Sequence, residues 1–287
     1  MQNFNNEGLN WLQKLKQSKL YPVYFLLRSP LLIPRLVANE GLIGGFKWLA
    51  LRLWLIFARL IDRRADFYEQ PIKFRSRLGF SLVRRVELLV YDEIFLDRCY
   101  DFGGFPEFIR TTRPLRVLDF GTHHGLFIDY VRGLNPQAHV YGAEMNPASF
   151  SVARDRFAGQ NGVHINHVAI GGEFRKLKVA TCSVSVEQSI YMEQKDGGFE
   201  VDLLSPVDFI NRQNLKPEDI SLVKMDIEGA EREVFEKLDS FRPILQTIQA
   251  FVIEIHEGVD AKAIVDICAS VNLKLVERRG INFFFRR

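Results

Sequence analysis

The 287-residue chain is 47% hydrophobic and 25% charged, an ordinary globular composition that excludes a disordered or fibrous protein. Its 38 Lys/Arg and 35 Asp/Glu leave a net +3, too little for a nucleic-acid-binding surface, which needs a concentrated basic stripe. The charge is uneven: residues 1–100 carry 16 basic and 9 acidic side chains, and residues 101–287 carry 22 and 26, so a basic front precedes an acidic back.

Cys99, Cys182 and Cys268 are too widely spaced for a zinc site or a disulfide scaffold. Met1–Asn10 has no basic n-region ahead of an apolar run, so no secretory signal is read there and a cytoplasmic protein is expected. The apolar stretch Tyr21–Val37 is interrupted by Pro22, Pro30 and Pro34, which remove backbone donors and predict short kinked pieces. Leu42–Ile61 is long enough to cross a bilayer, but Lys47, Arg52 and Arg59 inside it argue against a span. On a helix, Arg52, Arg59 and Arg63 fall on one stripe and leave Leu53, Trp54, Phe57, Leu60 and Ile61 on a wide apolar arc that must be buried. Two burials stay open: against protein, as a core or homodimer helix, or in a lipid headgroup layer, with peripheral contact through residues 42–64 at the inner membrane face.

Val83, Val86, Val90 and Ile94 predict an amphipathic helix within Leu82–Tyr100, and Gly103, Gly104 and Pro106 then punctuate the chain. The expected organisation is a basic helical region over 1–80, a connecting helix and loop over 81–112, and an α/β domain over 113–287. In that domain apolar β-rich runs alternate with helical periods. Strands are read at Leu115–Phe120, His139–Ala143, Ile165–Ile170, Leu222–Met225, Ile248–Ile255, Lys274–Glu277 and Asn282–Phe285. Helices are read at Leu126–Leu134, Ala148–Phe157, Ala230–Leu238 and Ala261–Ala269. This alternation predicts a doubly wound parallel sheet with right-handed crossovers. The last two runs form a terminal hairpin, so the final strand should be antiparallel to the rest. Lys178–Val186 alternates like an extra strand or hairpin, and Phe283–Phe285 is read as core.

Ligands of open α/β sheets bind beyond the carboxyl ends of the strands. The first strand ends in Asp119-Phe120-Gly121-Thr122-His123-His124-Gly125, a turn whose glycines Gly121 and Gly125 let backbone approach a ligand closely. The second strand ends in Glu144, a carboxylate suited to both hydroxyls of a ribose. A nicotinamide fold wants GxGxxG here, and Asp119 stands where its leading glycine belongs. With no pyrophosphate to cradle, an adenosine carrying an amino acid fits better, which is S-adenosylmethionine. Asp226 and Glu228 follow the fourth strand and Glu254 and His256 end the next, so adjacent strands bring them into one acidic cluster suited to a sulfonium and to accepting a hydroxyl proton.

Single residues keep bland readings beside these. His256 is open as a hydrogen-bonded strand-end residue, a general base or a metal ligand, and Glu228 as a helix cap. The acidic cluster has the oxygen ligands for a divalent ion, left as optional and not predicted. His123 and His124 are expected to face solvent or rim the cofactor, and His164 and His167 to lie on opposite sides of their strand. Arg63, Arg64, Arg84 and Arg85 are read as solvated.

The run Lys224-Met225-Asp226-Ile227-Glu228-Gly229-Ala230-Glu231 resembles the KxDxEGxE segment of FkbM-type S-adenosylmethionine-dependent methyltransferases. Val252–His256 resembles their next strand, Val117–Gly121 their first motif, and Ser205-Pro206-Val207-Asp208 sits where they read something like TLDD. The likeness spans about residues 85–287 and departs at His123, His124 and His167, where the family usually has small residues or Asn. It implies a class I methyltransferase (Rossmann-like) seven-stranded sheet and S-adenosylmethionine bound by Asp119, Gly121, Thr122, His123, Gly125, Glu144, Met145, His167 and Ala169. It further implies O-methylation of a hydroxyl on a glycan, a lipid-linked sugar or a secondary metabolite, served by Asp226, Glu228 and His256. A non-catalytic membrane-associated module that keeps the scaffold is the alternative.

Overall fold

The computed structural model describes residues 21–62, 64, 66–180, 189–191, 198–256 and 258–287. Met1–Asn10, Arg63, Cys182 and the far end of the Lys178–Val186 alternation lie outside the described residues. The chain forms two compact units, one reaching to Cys99 and one running Tyr100–Arg287. The division falls ahead of the Gly103–Pro106 punctuation, so residues 81–99 belong to the first unit.

In the first unit, α1 (Tyr21–Ile61) is followed by a hairpin of β1 (Pro71–Arg75) and β2 (Ser81–Arg84), then α2 (Glu87–Tyr91) with a π-helical turn over Asp92–Leu96. The expected kinked pieces are absent over Tyr21–Glu40. The helix runs through Pro30 and Pro34, and its dihedrals break only at Gly41 (φ 70°, ψ 176°). Pro30 and Pro34 are four residues apart, so the hydrogen bonds they remove fall together on one face of the helix. Residues 81–84 are strand rather than helix, because Leu82 is buried opposite Phe74 while Ser81 and Val83 stay exposed, a period of two.

Of the two burials left open for the apolar arc of α1, the one against this chain does not occur at Trp54, Phe57 and Ile61. Trp48, Arg52, Leu55 and Ile56 are inside, whereas Trp54, Phe57 and Ile61 are 44%, 59% and 86% exposed. Arg52 can enter because its Nε meets Asp92 Oδ2 at 3.0 Å, and a paired charge survives burial where a lone one does not. Arg85, expected in solvent, lies over the rings of Trp54 (4.8 Å) and Phe67 (4.4 Å).

Glu40 is the polar centre of this unit, and Tyr91 its aromatic centre. The buried Glu40 carboxylate accepts from Ser76 Oγ (2.5 Å), Tyr91 Oη (2.6 Å) and the Arg77 amide (2.7 Å). The Tyr91 ring lies 5.1 Å from Phe95 and 6.2 Å from Phe80. Glu40→Ala strands two hydroxyls and an amide, and is expected to lower the unfolding free energy by about 2–4 kcal/mol. Urea titration checks this, and an unchanged midpoint contradicts it.

The second unit opens with α3 (Phe105–Thr111) and continues as β3 (Arg116–Phe120), α4 (Leu126–Leu134), β4 (His139–Glu144), α5 (Pro147–Arg156) and β5 (Val163–His167). A small sheet is built from β6 (Ala169–Ile170), β7 (Arg175–Val179) and β8 (Phe199–Leu204), ordered β6-β8-β7. The predicted run Ile165–Ile170 is thus split, Val168 carrying the chain from one sheet to the other. After α6 (Pro206–Arg212) come β9 (Leu222–Met225), α7 (Glu231–Glu236), α8 (Arg242–Leu245), β10 (Ala250–Glu254), α9 (Ala261–Ser270), β11 (Lys274–Arg279) and β12 (Asn282–Arg286). Ser205, read only as part of a motif, caps α6 by accepting the Asp208 amide (3.1 Å).

The main sheet is seven-stranded, ordered β11-β12-β10-β9-β3-β4-β5. β12 is antiparallel to both neighbours and the other pairings are parallel. The aromatic run Phe283–Phe285 is buried on this reversed strand, as expected of core. Strand order reverses between β3 and β9, because the chain winds outward through β4 and β5 and then returns to the other side of β3. The carboxyl ends of β3 and β9 therefore meet at the switch point, where ligands of such sheets bind.

Candidate active site

The centre of this switch point is a lysine that the sequence reading passed over. Lys224 is a buried charge within the otherwise apolar strand β9. Its Nζ donates to the Gly121 carbonyl (2.8 Å) and lies 3.4 Å from both Asp119 Oδ1 and Asp226 Oδ2. Burial pulls its pKa down, but the carboxylates of Asp226 and Asp119 outweigh burial and hold it above the ordinary lysine value. Burial likewise pushes the Asp119 carboxyl up against the pull of Lys224. A lone Lys in a buried four-residue strand was the available signal, since such a residue is almost never buried unpaired.

Gly121 and Gly125 are each required by the protein packed against them. A Cβ on Gly121 (φ 81°) would stand 1.7 Å from the Asp226 carbonyl oxygen, and one on Gly125 (φ 86°) 2.3 Å from the Phe157 ring. The first glycine lets the ends of β3 and β9 touch, and the second seats α4 against Phe157. Thr122 is buried, its Oγ1 donating to the Asp119 carbonyl (2.9 Å) and its amide to Ala143 (3.1 Å).

Glu144 ends β4 with only 8% of its surface exposed. One carboxylate oxygen accepts the His123 amide (2.7 Å) and the other the Asn146 amide (2.8 Å). Burial raises its pKa from 4.5 to about 7, with those two amides opposing. Lys224 favours and Asp119 disfavours its ionised form, so the ends of β3, β4 and β9 share one field. His123 is itself in left-handed backbone (φ 50°), and its ring stacks on His124 at 3.9 Å. His124 is 1% exposed, which corrects the solvent-facing expectation: stacking on its neighbour draws it inward.

On the next strand, His167 Nε2 lies 3.0 Å from the Met145 carbonyl and its ring stacks on Phe150, while His164 stacks on Tyr141, so the two histidines do diverge. Ala169 stands on β6 in the small sheet, packed with Val179, Val201, Leu203 and Ala230, and Met145 packs against the same cluster.

The acidic cluster forms as the strand spacing predicts. His256 Nε2 lies 3.4 Å from Glu228 Oε2, 3.7 Å from Asp226 Oδ1 and 4.0 Å from Glu254 Oε1. A further member, Glu231, is fully buried and meets His256 Nδ1 at 3.1 Å while accepting the Ile227 amide (2.9 Å). Glu231 lay in the KxDxEGxE run but was not selected from it. Glu228 is held at φ 54°, an uncommon conformation for a side-chain-bearing residue and one found where geometry is imposed by the surroundings. It points to His256 rather than capping α7.

Burial alone would lower the His256 pKa. The Glu231 bond, with the charges of Asp226 and Glu228, overrides burial and lifts it from 6.5 to about 10. These contacts favour the imidazolium, the form in which neither ring nitrogen has a lone pair to accept a proton. In that form it is a counter-charge and positioning residue for the carboxylates. Asp226, Glu254 and His256 offer atoms within 4.8 Å of one another, the spacing of a metal site, but in the imidazolium form both His256 nitrogens already carry protons.

A folded pKa above the unfolded one means this stabilisation is fully present below about pH 6.5 and is lost as pH rises through about 10. The melting temperature of the wild-type chain should therefore fall across that window, and His256→Gln should flatten the fall while lowering stability at neutral pH. Parallel pH profiles for the two proteins contradict the assignment.

A seven-stranded sheet with one reversed strand, and an acidic switch point beside a strand-end glutamate, define a class I methyltransferase fold. Residues 119–272 match the Methyltransferase FkbM domain family, and the chain belongs to that family. Over 173 residues it is 27% identical to "Methyltransferase 1" of Beauveria bassiana, covering 52% of this chain and 66% of that protein, just under two thirds of its length. Over 197 residues it is 26% identical to "Methyltransferase sdnD" of Sordaria araneosa, covering 57% and 74%. Among solved structures it is similar to the METTL16 MTase domain (10% identity, 80% of this chain and 90% of that one, TM-score 0.41). It is also similar to M. jannaschii TYW2 in complex with AdoMet (12% identity, 76% and 87%, TM-score 0.38).

Proposed function

We propose that the chain is an S-adenosylmethionine-dependent methyltransferase that O-methylates a hydroxyl on a glycan, a lipid-linked sugar or another small molecule. The observation that carries this reading is the placement of Glu144 at the end of β4 and of Asp226 and Glu254 at the ends of β9 and β10, with the Lys224 charge acting on all three. Each Glu144 oxygen accepts a single amide and keeps a second lone pair, which is what a ribose diol requires. Asp119 Oδ2 is buried without a hydrogen-bond partner, a further acceptor beside the glycine turn.

When bound, S-adenosylmethionine supplies a methyl group on a positively charged sulfur. The residues present suit a cation: Asp226, Glu228, Glu231 and Glu254 outnumber the positive charges of Lys224 and His256. Among them, Asp226 and Glu228 are the candidates to accept the hydroxyl proton, because they are partly exposed, whereas Glu231 is wholly buried. His256 holds both carboxylates in place, and most of the rate comes from alignment of the reacting atoms.

Glu144→Ala is expected to weaken S-adenosylmethionine binding at least ~10-fold by calorimetry, about 1.4 kcal/mol. Wild-type affinity in a folded variant overturns the cofactor assignment. Asp226→Asn should slow transfer of a labelled methyl group to a panel of hydroxylated acceptors by about 100-fold while sparing that affinity. Unchanged transfer removes Asp226 as the proton acceptor.

A further inference from the structure

α1 carries an apolar face that its own unit leaves uncovered. Leu42, Ile43, Phe46, Trp54, Phe57 and Ile61 are between 44% and 86% exposed. At 100° per residue these six lie within an arc of about 120°, and from Leu42 to Ile61 the row is ~28 Å long. Isolated exposed apolar residues are ordinary, but six large ones on one side of a single helix mark an interaction surface.

Leu31–Arg59 is long and apolar enough to cross a membrane, but its opposite face is fixed to the unit along most of that length. Arg35 donates to the Leu96 carbonyl (2.6 Å), Asn39 to that of Phe95 (3.0 Å), Glu40 accepts Tyr91 and Ser76, and Arg52 pairs with Asp92. A spanning helix would have to break all of these in hydrocarbon, where each freed polar group is costly. The helix can meet lipid only while lying flat.

The exposed charges of the unit, with Lys47 about 20° beyond the row on the helix wheel, identify the partner. Exposed cations of this unit include Lys47, Arg59, Lys73, Arg75 and Arg77, while Glu40, Glu87 and Asp92 are drawn into its interior. Among the described residues of the unit, Asp66 is the one acid in the exposed class. A second copy would set these cations against their like, whereas an anionic headgroup layer neutralises them as the apolar row enters the acyl boundary.

We propose that α1 binds in the plane of a bilayer containing anionic lipid, through the Leu42–Ile61 row, as a monotopic anchor. The test is flotation of the full chain with vesicles of equimolar phosphatidylcholine and phosphatidylglycerol, and of phosphatidylcholine alone, at low and high salt. Expected are flotation with the anionic vesicles, weakening by salt and with the neutral vesicles, and at least ~10-fold loss in the Phe46→Asp/Phe57→Asp double variant. Both sites are exposed, and a wild-type unfolding transition verifies that the variant is folded. Three results overturn the proposal: a chain that stays unbound with both vesicle types, flotation that the double variant leaves intact, or a dimer in sedimentation equilibrium that the double variant dissociates.

Discussion

The contact on which the site depends is the buried Lys224 ammonium between Asp119 and Asp226. A charge inside a parallel sheet must be paired, and the carboxylates that pair it stand at the ends of β3 and β9. The same Nζ bonds the Gly121 carbonyl, and Gly121 is where the two strand ends come into backbone contact. One cation thus sets the spacing of the switch point, fixes the direction of the glycine turn and contributes to the field felt by Glu144.

Buried ion pairs recur as the organising device. His256 becomes an imidazolium because Glu231 is buried against it, and its other nitrogen then gathers Asp226, Glu228 and Glu254. In the first unit Arg52 with Asp92, and Glu40 with its three donors, do the equivalent work of deciding which side of α1 faces inward. Such pairs contribute little net stability over an apolar core, but breaking one leaves an uncompensated charge. They therefore enforce a single arrangement, which is what a site built from four strand ends needs.

Much of the second unit was legible because its signals are local. Leu126–Leu134 and Leu222–Met225 are recovered residue for residue, and Asn282–Arg286 within one residue, since each run pairs a clear periodicity with a turn residue at its end. The convergence of Asp226, Glu228, Glu254 and His256 followed from strand spacing alone. The split at Val168 and the inner face of α1 were not legible. An apolar run does not reveal which sheet it joins, and a helix that is apolar all round leaves the choice of inner face to its few charged residues and their distant partners.

The amino-acid sequence by itself determined the seven strands of the main sheet with α4, α5, α7 and α9 between them, the reversed last strand, and Asp226, Glu228 and Glu254 among the acids gathered at the switch point. These depend on periodicities of two and 3.6 and on nearest-neighbour turn chemistry. Only the tertiary structure decided that Gly121 meets Asp226, that Arg52 lies inside and Phe57 outside, and that His256 stands among four carboxylates that favour its charged form. Each of these outcomes depends on burial and on a partner brought near by folding, and the free energy of a charge is set by that three-dimensional surrounding, not by its neighbours along the chain.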